Sequence, residues 1–282
     1  MTKVNYHMHT TGSDGELSPR QVIEEAIKAG IKHICLTDHY NYPKEVVDHT
    51  HPKISNTEEY HQEIIKLKEE FKGKIDLSFG MEFDFLNGHQ DYTKAEISKR
   101  DYDFIIGSIH TLPKGREFYL LPWAVKEWTA FSERFGGIKE AIELYYEQTK
   151  KLIKSGLYDC VGHLDTIKNS YPGDWKEIEN QEWYKNIVLD VLDEIKKSKM
   201  CMEINTSGLL SYAKEQYPSK WIIVEAKKRN IPLTIGSDFH RDKNRPNQRV
   251  DSELSEAIAL AKKVGYKSIL IFKKSKPIEV EI

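Results

Sequence analysis

Two histidines one residue apart, His7-Met8-His9, lie in a short apolar run near the start of the chain, and Asp14 follows in the polar turn Thr11-Gly12-Ser13-Asp14-Gly15. In an extended strand alternate side chains share a face, so the two imidazoles point the same way and can chelate a metal ion. A single His-x-His pair arises often by chance; its weight comes from repetition. The apolar run after His33 ends in Thr37-Asp38-His39, and later runs end in Gly80-Met81-Glu82, Ser108-Ile109-His110, Gly162-His163-Leu164-Asp165, Glu203-Ile204-Asn205 and Ser237-Asp238-Phe239-His240. Each strand-like run thus stops at residues that hold metals or protons.

The remaining histidines provide an internal control. Of 11 in the chain, His33 begins a strand, His49, His51 and His89 fall in loops and His61 on a helix, and none has the strand-end setting. Imidazole and carboxylate without thiolate suit Zn, Fe or Mn rather than a structural cysteine-bound zinc. Nine candidate ligands, His7, His9, Asp14, His39, Glu82, His110, His163, Asp238 and His240, exceed the needs of one ion. Two or three divalent ions are expected, with Glu82 or Asp238 bridging. Three carboxylates (−3) against three divalent ions (+6) leave a site of about +3, which favours an anionic substrate. A phosphate monoester is the natural candidate, since clustered ions can generate hydroxide and hold phosphoryl oxygens.

Such a centre needs elements whose ends converge. The chain of 282 residues is 39% hydrophobic, enough for one large domain over residues 1–282. Strand and helix patterns alternate almost throughout, with helices expected over Pro19–Ala29, Thr57–Phe71, Ile138–Ser155, Gln181–Lys197 and Ser219–Arg229, and Tyr40–Asn56 as a loop. The first strand is expected over Lys3–His9 and a closing strand over Ser268–Phe272. Repeated βα units imply parallel strands with right-handed crossovers. Ligands at the carboxyl ends of so many strands favour a barrel, where all those ends meet at one mouth.

The connection Thr111–Gly137 breaks the rhythm. It carries Pro113, Pro122, Trp123, Trp128 and Phe131 and is expected to be an irregular, functional loop that could act as a lid. Trp123, Trp128 and Tyr171 could wall a pocket. Arg241, Lys168, Arg116 and Arg245 lie in or near strand-end loops and are candidates to clamp a phosphate. The balance of 42 basic and 44 acidic residues offers no footprint for nucleic acid, and no apolar run spans a membrane. With the first strand so close to Met1, no signal peptide is expected, and Cys35, Cys160 and Cys201 read as buried free thiols, so a cytoplasmic protein is expected.

Taken in order, His7-x-His9, Asp14, Thr37-Asp38-His39, Gly80-x-Glu82, Ser108-x-His110, Gly162-His163-Leu164-Asp165, Glu203-x-Asn205 and Ser237-Asp238-x-His240 resemble the polymerase-and-histidinol-phosphatase (PHP) family, and within it the stand-alone histidinol-phosphate phosphatases. The resemblance implies a distorted seven-stranded, TIM-like (β/α)7 barrel with three metal ions. By resemblance one ion takes His7, His9, Glu82 and Asp238, a second Glu82, His110 and His163, and a third Asp14, His39 and His240. The reaction it implies is hydrolysis of L-histidinol phosphate, a step of histidine biosynthesis, by a metal-bound hydroxide. Asp38, Glu203 and Asn205 are expected to orient histidine ligands, and Asp165 and His240 are candidates for moving the leaving-group proton. The competing readings are a protein-tyrosine-phosphate phosphatase, a nucleotide phosphoesterase or an exonuclease on the same scaffold, and a non-catalytic scaffold.

Overall fold

The computed structural model describes residues 3–44, 46, 58–243 and 245–282. Its first half runs β1 (Val4–Asn5), α1 (Pro19–Lys28), β2 (His33–Leu36), α2 (Glu58–Glu70), β3 (Asp76–Asp84), α3 (Gln90–Ile97) and β4 (Phe104–Ser108). A hairpin of β5 (Thr111–Lys114) and β6 (Glu117–Leu120) follows, then α4 (Trp128–Arg134), α5 (Ile138–Ser155), β7 (Cys160–Val161), α6 (Trp175–Glu179) and α7 (Glu182–Ser198). The chain ends with β8 (Cys201–Asn205), α8 (Lys220–Lys228), β9 (Leu233–Gly236), α9 (Leu254–Val264), β10 (Ser268–Lys273) and β11 (Lys276–Glu281). The expected loop over 40–56 falls largely outside the described residues, as do His49 and His51.

Among the described residues, seven strands pair in parallel in the order β1-β2-β3-β4-β7-β8-β9. The two ends of this sheet then meet. Tyr6 N donates to Ile235 O at 2.8 Å, Asp238 N to His7 O at 2.9 Å and His9 N to Phe239 O at 2.8 Å, so the sheet curls into a distorted, nearly closed barrel. Local sequence explains how the helices lie against it. Ser18 and Gln21 form a reciprocal capping box at the start of α1, with Pro19 in its first turn, and the helix buries Val22, Ile23 and Ala26 against the sheet. α5 and α7 are pinned together where the Tyr146 and Tyr184 hydroxyls meet at 2.9 Å.

Three expectations are corrected. The first strand is not Lys3–His9 but only Val4–Asn5, because residues beyond it leave the regular ladder to pair with the β9 loop through an isolated Met8–Phe239 bridge. His7 and His9 still flank Met8 on an extended chain, so the chelate survives. The run Ser268–Phe272 does form a strand, β10, but it does not close the barrel. It pairs antiparallel with β11 across Lys274 and Ser275, both at positive φ (49° and 53°). A tight hairpin of that hand normally announces itself by Asn-Gly or Asp-Gly, and this one carries neither residue pair. The hairpin packs at the amino ends of the strands, where the Phe272 ring lies 4.7 Å from that of Phe104 and Ser275 N donates to Asp103 O. Finally, Thr111–Gly137 is mostly regular: the β5–β6 hairpin, a single 3₁₀ turn and α4, anchored by Trp128, which is buried against Phe131 and Tyr171.

Candidate metal centre

The carboxyl ends of the barrel strands gather an unusual amount of buried polarity. His7, His9, Asp38, Glu82, Glu203 and Asn205 are all fully or almost fully buried there. Glycine makes the close approach feasible: a Cβ on Gly236, the last residue of β9, would lie 2.2 Å from Glu203 Oε1 and 2.3 Å from His7 Cβ.

Glu82 lies at the middle. Its Oε2 is 3.2 Å from His7 Nε2 and 3.4 Å from His9 Nε2, and Asp238 Oδ1 closes the group at 3.6 Å and 3.2 Å from the same two nitrogens. Glu82 Oε1 faces a second group, 3.0 Å from His163 Nε2 and 3.7 Å from His110 Nε2, with those nitrogens 3.1 Å apart. In the third, Asp14 Oδ1 is 3.2 Å from His240 Nε2 and 3.9 Å from His39 Nε2. The groups interlock more than the expected ligand sets did. His9 Nδ1 comes within 3.8 Å of Asp14 Oδ1, and His39 Nδ1 within 3.0 Å of Glu82 Oε2.

These residues fit divalent cations. His7 Nε2, His9 Nε2 and Glu82 Oε2 are buried with no hydrogen-bond partner among the described residues. Such groups are costly unless something satisfies them. Ligand atoms at ~2.0–2.1 Å from a tetrahedral zinc lie about 3.3 Å apart, which is the spacing of the first group. Two imidazole nitrogens facing each other at 3.1 Å likewise call for a cation or proton between them. His7, His9, Asp14, His39, Glu82, His110, His163, Asp238 and His240 are therefore the residues that would hold the ions.

Electrostatics follow from this crowding. Burial opposes charge throughout, yet His7, His39 and His110 hold the Glu82 carboxyl well below the usual carboxylate range, and His7 and His9 do the same for Asp238. Against the same burial, Glu203, Glu82 and Asp238 raise His7 well above the ordinary imidazole range, and Glu82 and Asp14 push His39 up to about 10. His9 goes the other way, because burial, His240 and His39 all disfavour its proton. Ion binding at His7 and His39 must therefore displace protons.

Around the ligands stand groups that aim them. Glu203 Oε1 accepts from His7 Nδ1 at 2.8 Å, which leaves Nε2 free to ligate, and its Oε2 accepts from His163 N at 3.0 Å and Asn205 Nδ2 at 3.1 Å. Asn205 acts through Glu203. Among the described residues the Asp38 carboxylate hydrogen-bonds no histidine, contrary to expectation; it accepts from Thr10 N at 2.7 Å, Thr10 Oγ1 at 2.8 Å, Ser13 Oγ at 2.6 Å and the Tyr60 hydroxyl, and so shapes the turn that carries Asp14. Sequence reasoning missed Asp84, whose Oδ1 is 2.5 Å from His110 Nδ1 and whose Oδ2 accepts from the Tyr42 hydroxyl. Its signal was present: Asp84 is two residues beyond Glu82 on β3 and so shares its face. Ser108 Oγ donates to Glu82 Oε1 at 2.5 Å, Ser207 Oγ to Asp238 Oδ2 at 3.1 Å, and Gln248 Oε1 accepts from His240 N at 2.9 Å. Nothing local marks Ser207 or Gln248.

The expected substrate cations fare differently. Lys168 is buried, donating to Asp165 Oδ2 at 2.9 Å, Ser219 Oγ at 2.6 Å, Gln216 O at 3.2 Å and Glu215 Oε2 at 3.4 Å. Asp165 accepts from Ser219 N and Oγ as well, so this pair ties the β7 and β8 loops together and does not join the ligand groups. Burial raises the Asp165 carboxyl. Arg241 reaches back to α1, with NH1 donating to Glu25 Oε1 at 2.6 Å and NH2 to Oε2. Arg116 is exposed at the β5–β6 turn. Arg245 NH1 reaches Asp238 O at 3.3 Å. Trp123 stands at the rim, its ring 6.1 Å from that of His110. His33, paired with Asp76 at 2.9 Å, and His61 and His89 join none of the ligand groups.

A sequence profile of the PHP domain matches residues 5–207. The chain belongs to the PHP family. Among relatives, it is 30% identical over 260 residues to a histidinol-phosphatase of Bacillus subtilis, covering 86% of this chain and 94% of that one. It is 29% identical over 278 residues to the histidinol-phosphatase of Lactococcus lactis, covering 96% and 95%. Among solved structures, the histidinol phosphate phosphatase of Lactococcus lactis complexed with zinc, L-histidinol and phosphate superposes with a TM-score of 0.76 at 25% identity, covering 98% of this PHP chain and 99% of that one. The TIM-like barrel is the architecture of this family member.

Proposed function

We propose that this PHP protein is a metal-dependent phosphomonoesterase that hydrolyses L-histidinol phosphate to L-histidinol and phosphate, in the cytoplasm, as a step of histidine biosynthesis. The observation that carries the reading is Glu82, a buried carboxylate whose two oxygens face two separate histidine groups. Near-full-length similarity to proteins named histidinol-phosphatase, one of them complexed with zinc, L-histidinol and phosphate, supports the substrate. No helix among the described residues is long and apolar enough to cross a membrane, and the three cysteines are unpaired and buried, which supports a reducing compartment.

When bound, divalent ions here would supply Lewis-acid activation of water and of the phosphoryl oxygens, and would neutralise charge on the ester. The chain's own residues do the positioning. Glu203 and Asp84 hold His7 and His110 with Nδ1 engaged and Nε2 turned inward. Ser108 and Ser207 fix the rotamers of Glu82 and Asp238. Asp38 holds the Thr10–Ser13 turn so that Asp14 faces His240. His240 has its Nδ1 2.9 Å from Asp238 O, which orients its Nε2 toward the centre. The test is phosphate release from L-histidinol phosphate beside p-nitrophenyl phosphate, phosphotyrosine and a dinucleotide, with His7→Ala as control. Histidinol phosphate should be preferred by at least about 10²-fold in kcat/KM, and His7→Ala should be inactive. Equal cleavage of all esters, or cleavage of the dinucleotide alone, overturns the substrate.

A further inference from the structure

We propose that Trp123 is the surface on which a planar ring of the leaving group stacks, and that it makes the enzyme prefer phosphomonoesters of ring-bearing alcohols. This inference rests on the phosphatase reading above. Trp123 sits on the connection that starts at His110, its ring centroid 6.1 Å from that imidazole and inclined by 38°. Its indole is 51% exposed, while Trp128 on the same connection is buried. The exposed indole thus presents a flat apolar face beside the buried polar centre, open to a ring of the substrate.

The segment that carries it is tied down by hydrogen bonds. Trp123 N and Ala124 N donate to the same oxygen of Glu127, Oε2, at 2.9 and 3.1 Å. Pro122 O accepts from Ser170 Oγ at 2.6 Å, and Leu121 N donates to His110 O at 2.8 Å. A stacking face held this way costs little ordering entropy on binding. Exposed apolar residues recur on the same rim. Leu210 and Tyr212 follow β8 at 40% and 68% exposure, beyond a turn tethered to Asp238 by Ser207. That turn is linked to the β7 loop through the Tyr217 hydroxyl, 3.0 Å from Ser211 Oγ and 3.1 Å from Asn169 Oδ1.

Two cations of the strand-end loops are engaged in ion pairs, Lys168 with Asp165 and Arg241 with Glu25. The site therefore has two halves: a floor of ligand residues for the phosphoryl group, and an aromatic rim for the alcohol. An imidazole ring satisfies that rim, and its protonated fraction near its ordinary pKa adds attraction to the indole face.

The experiment compares kcat/KM for L-histidinol phosphate with that for 2-aminoethyl phosphate, which keeps the phosphate and the amine but lacks the ring. In Trp123→Ala the ratio should fall roughly ten- to a hundred-fold, chiefly through KM, while Trp123→Phe retains most of it. Calorimetric binding of L-histidinol to the metal-loaded protein should weaken in parallel in Trp123→Ala, with metal content unchanged. An unchanged ratio, equal losses on both esters, or failure of Trp123→Phe to restore the preference overturns the proposal. A wild-type protein that cleaves no ester overturns the phosphatase reading instead, and the calorimetric comparison then decides the role of Trp123 by itself.

Discussion

Replacing Glu82 by glutamine is expected to lower kcat/KM for L-histidinol phosphate by at least about 10³-fold and to leave the purified protein short of metal. Glutamine matches the shape of the residue, so the barrel should still fold. What changes is one negative charge and one strong ligand oxygen, at a carboxylate whose two oxygens reach the His7–His9 group and the His110–His163 group. An amide presents one oxygen and an NH₂, so one of the two histidine groups must then face a donor. The several kcal/mol that a metal centre contributes to stabilising charge in phosphoryl transfer correspond to three or more powers of ten in rate. Steady-state kinetics with elemental analysis of the same samples checks this. Wild-type activity in a protein with wild-type metal content would contradict the bridging role.

The second large effect is expected at Glu203, whose carboxylate serves as acceptor for three donors. Glu203→Ala removes the partner of His7 Nδ1, His163 N and Asn205 Nδ2 at once. Each buried donor left without a partner costs about 1–3 kcal/mol, so a total loss of about 3–9 kcal/mol is expected. For a chain of this size that lowers Tm by roughly 10 °C. Metal affinity should also drop about 10–100-fold, because His7 loses the contact that fixes its orientation. Glu203→Gln, which keeps an acceptor oxygen, should recover part of both losses. Thermal unfolding with and without added zinc separates the two effects, and a Tm unchanged in Glu203→Ala would remove Glu203 from the account.

What could be read from the sequence, and what could not, divides along physical lines. The ligand residues were legible because coordination chemistry restricts them to a few residue types, and because parallel βα units send every strand's carboxyl end to the same mouth. That logic places His7, Glu82, His110, His163 and Asp238 together without knowledge of any side-chain contact. It is weaker wherever the outcome depends on a distant partner. Arg241 follows a ligand directly and looks like a phosphate clamp, yet it pairs with Glu25, 216 residues away. Lys168 and Asp165 are close in sequence to His163 but are drawn into a buried network by Ser219. Asp38 adjoins His39, and its carboxylate nonetheless turns toward Thr10 and Ser13. β10 reads correctly as a strand, but its pairing with β11 does not show in the sequence, because the turn that makes it, Lys274-Ser275, lacks the usual residues.

The most direct test of the account is phosphate release from L-histidinol phosphate by protein stripped of metal with a chelator and then reloaded with counted equivalents of zinc. The stripped protein should show no turnover, and activity should rise with added zinc and saturate at two or three equivalents. Full activity in the stripped protein, or none at any loading, would contradict it.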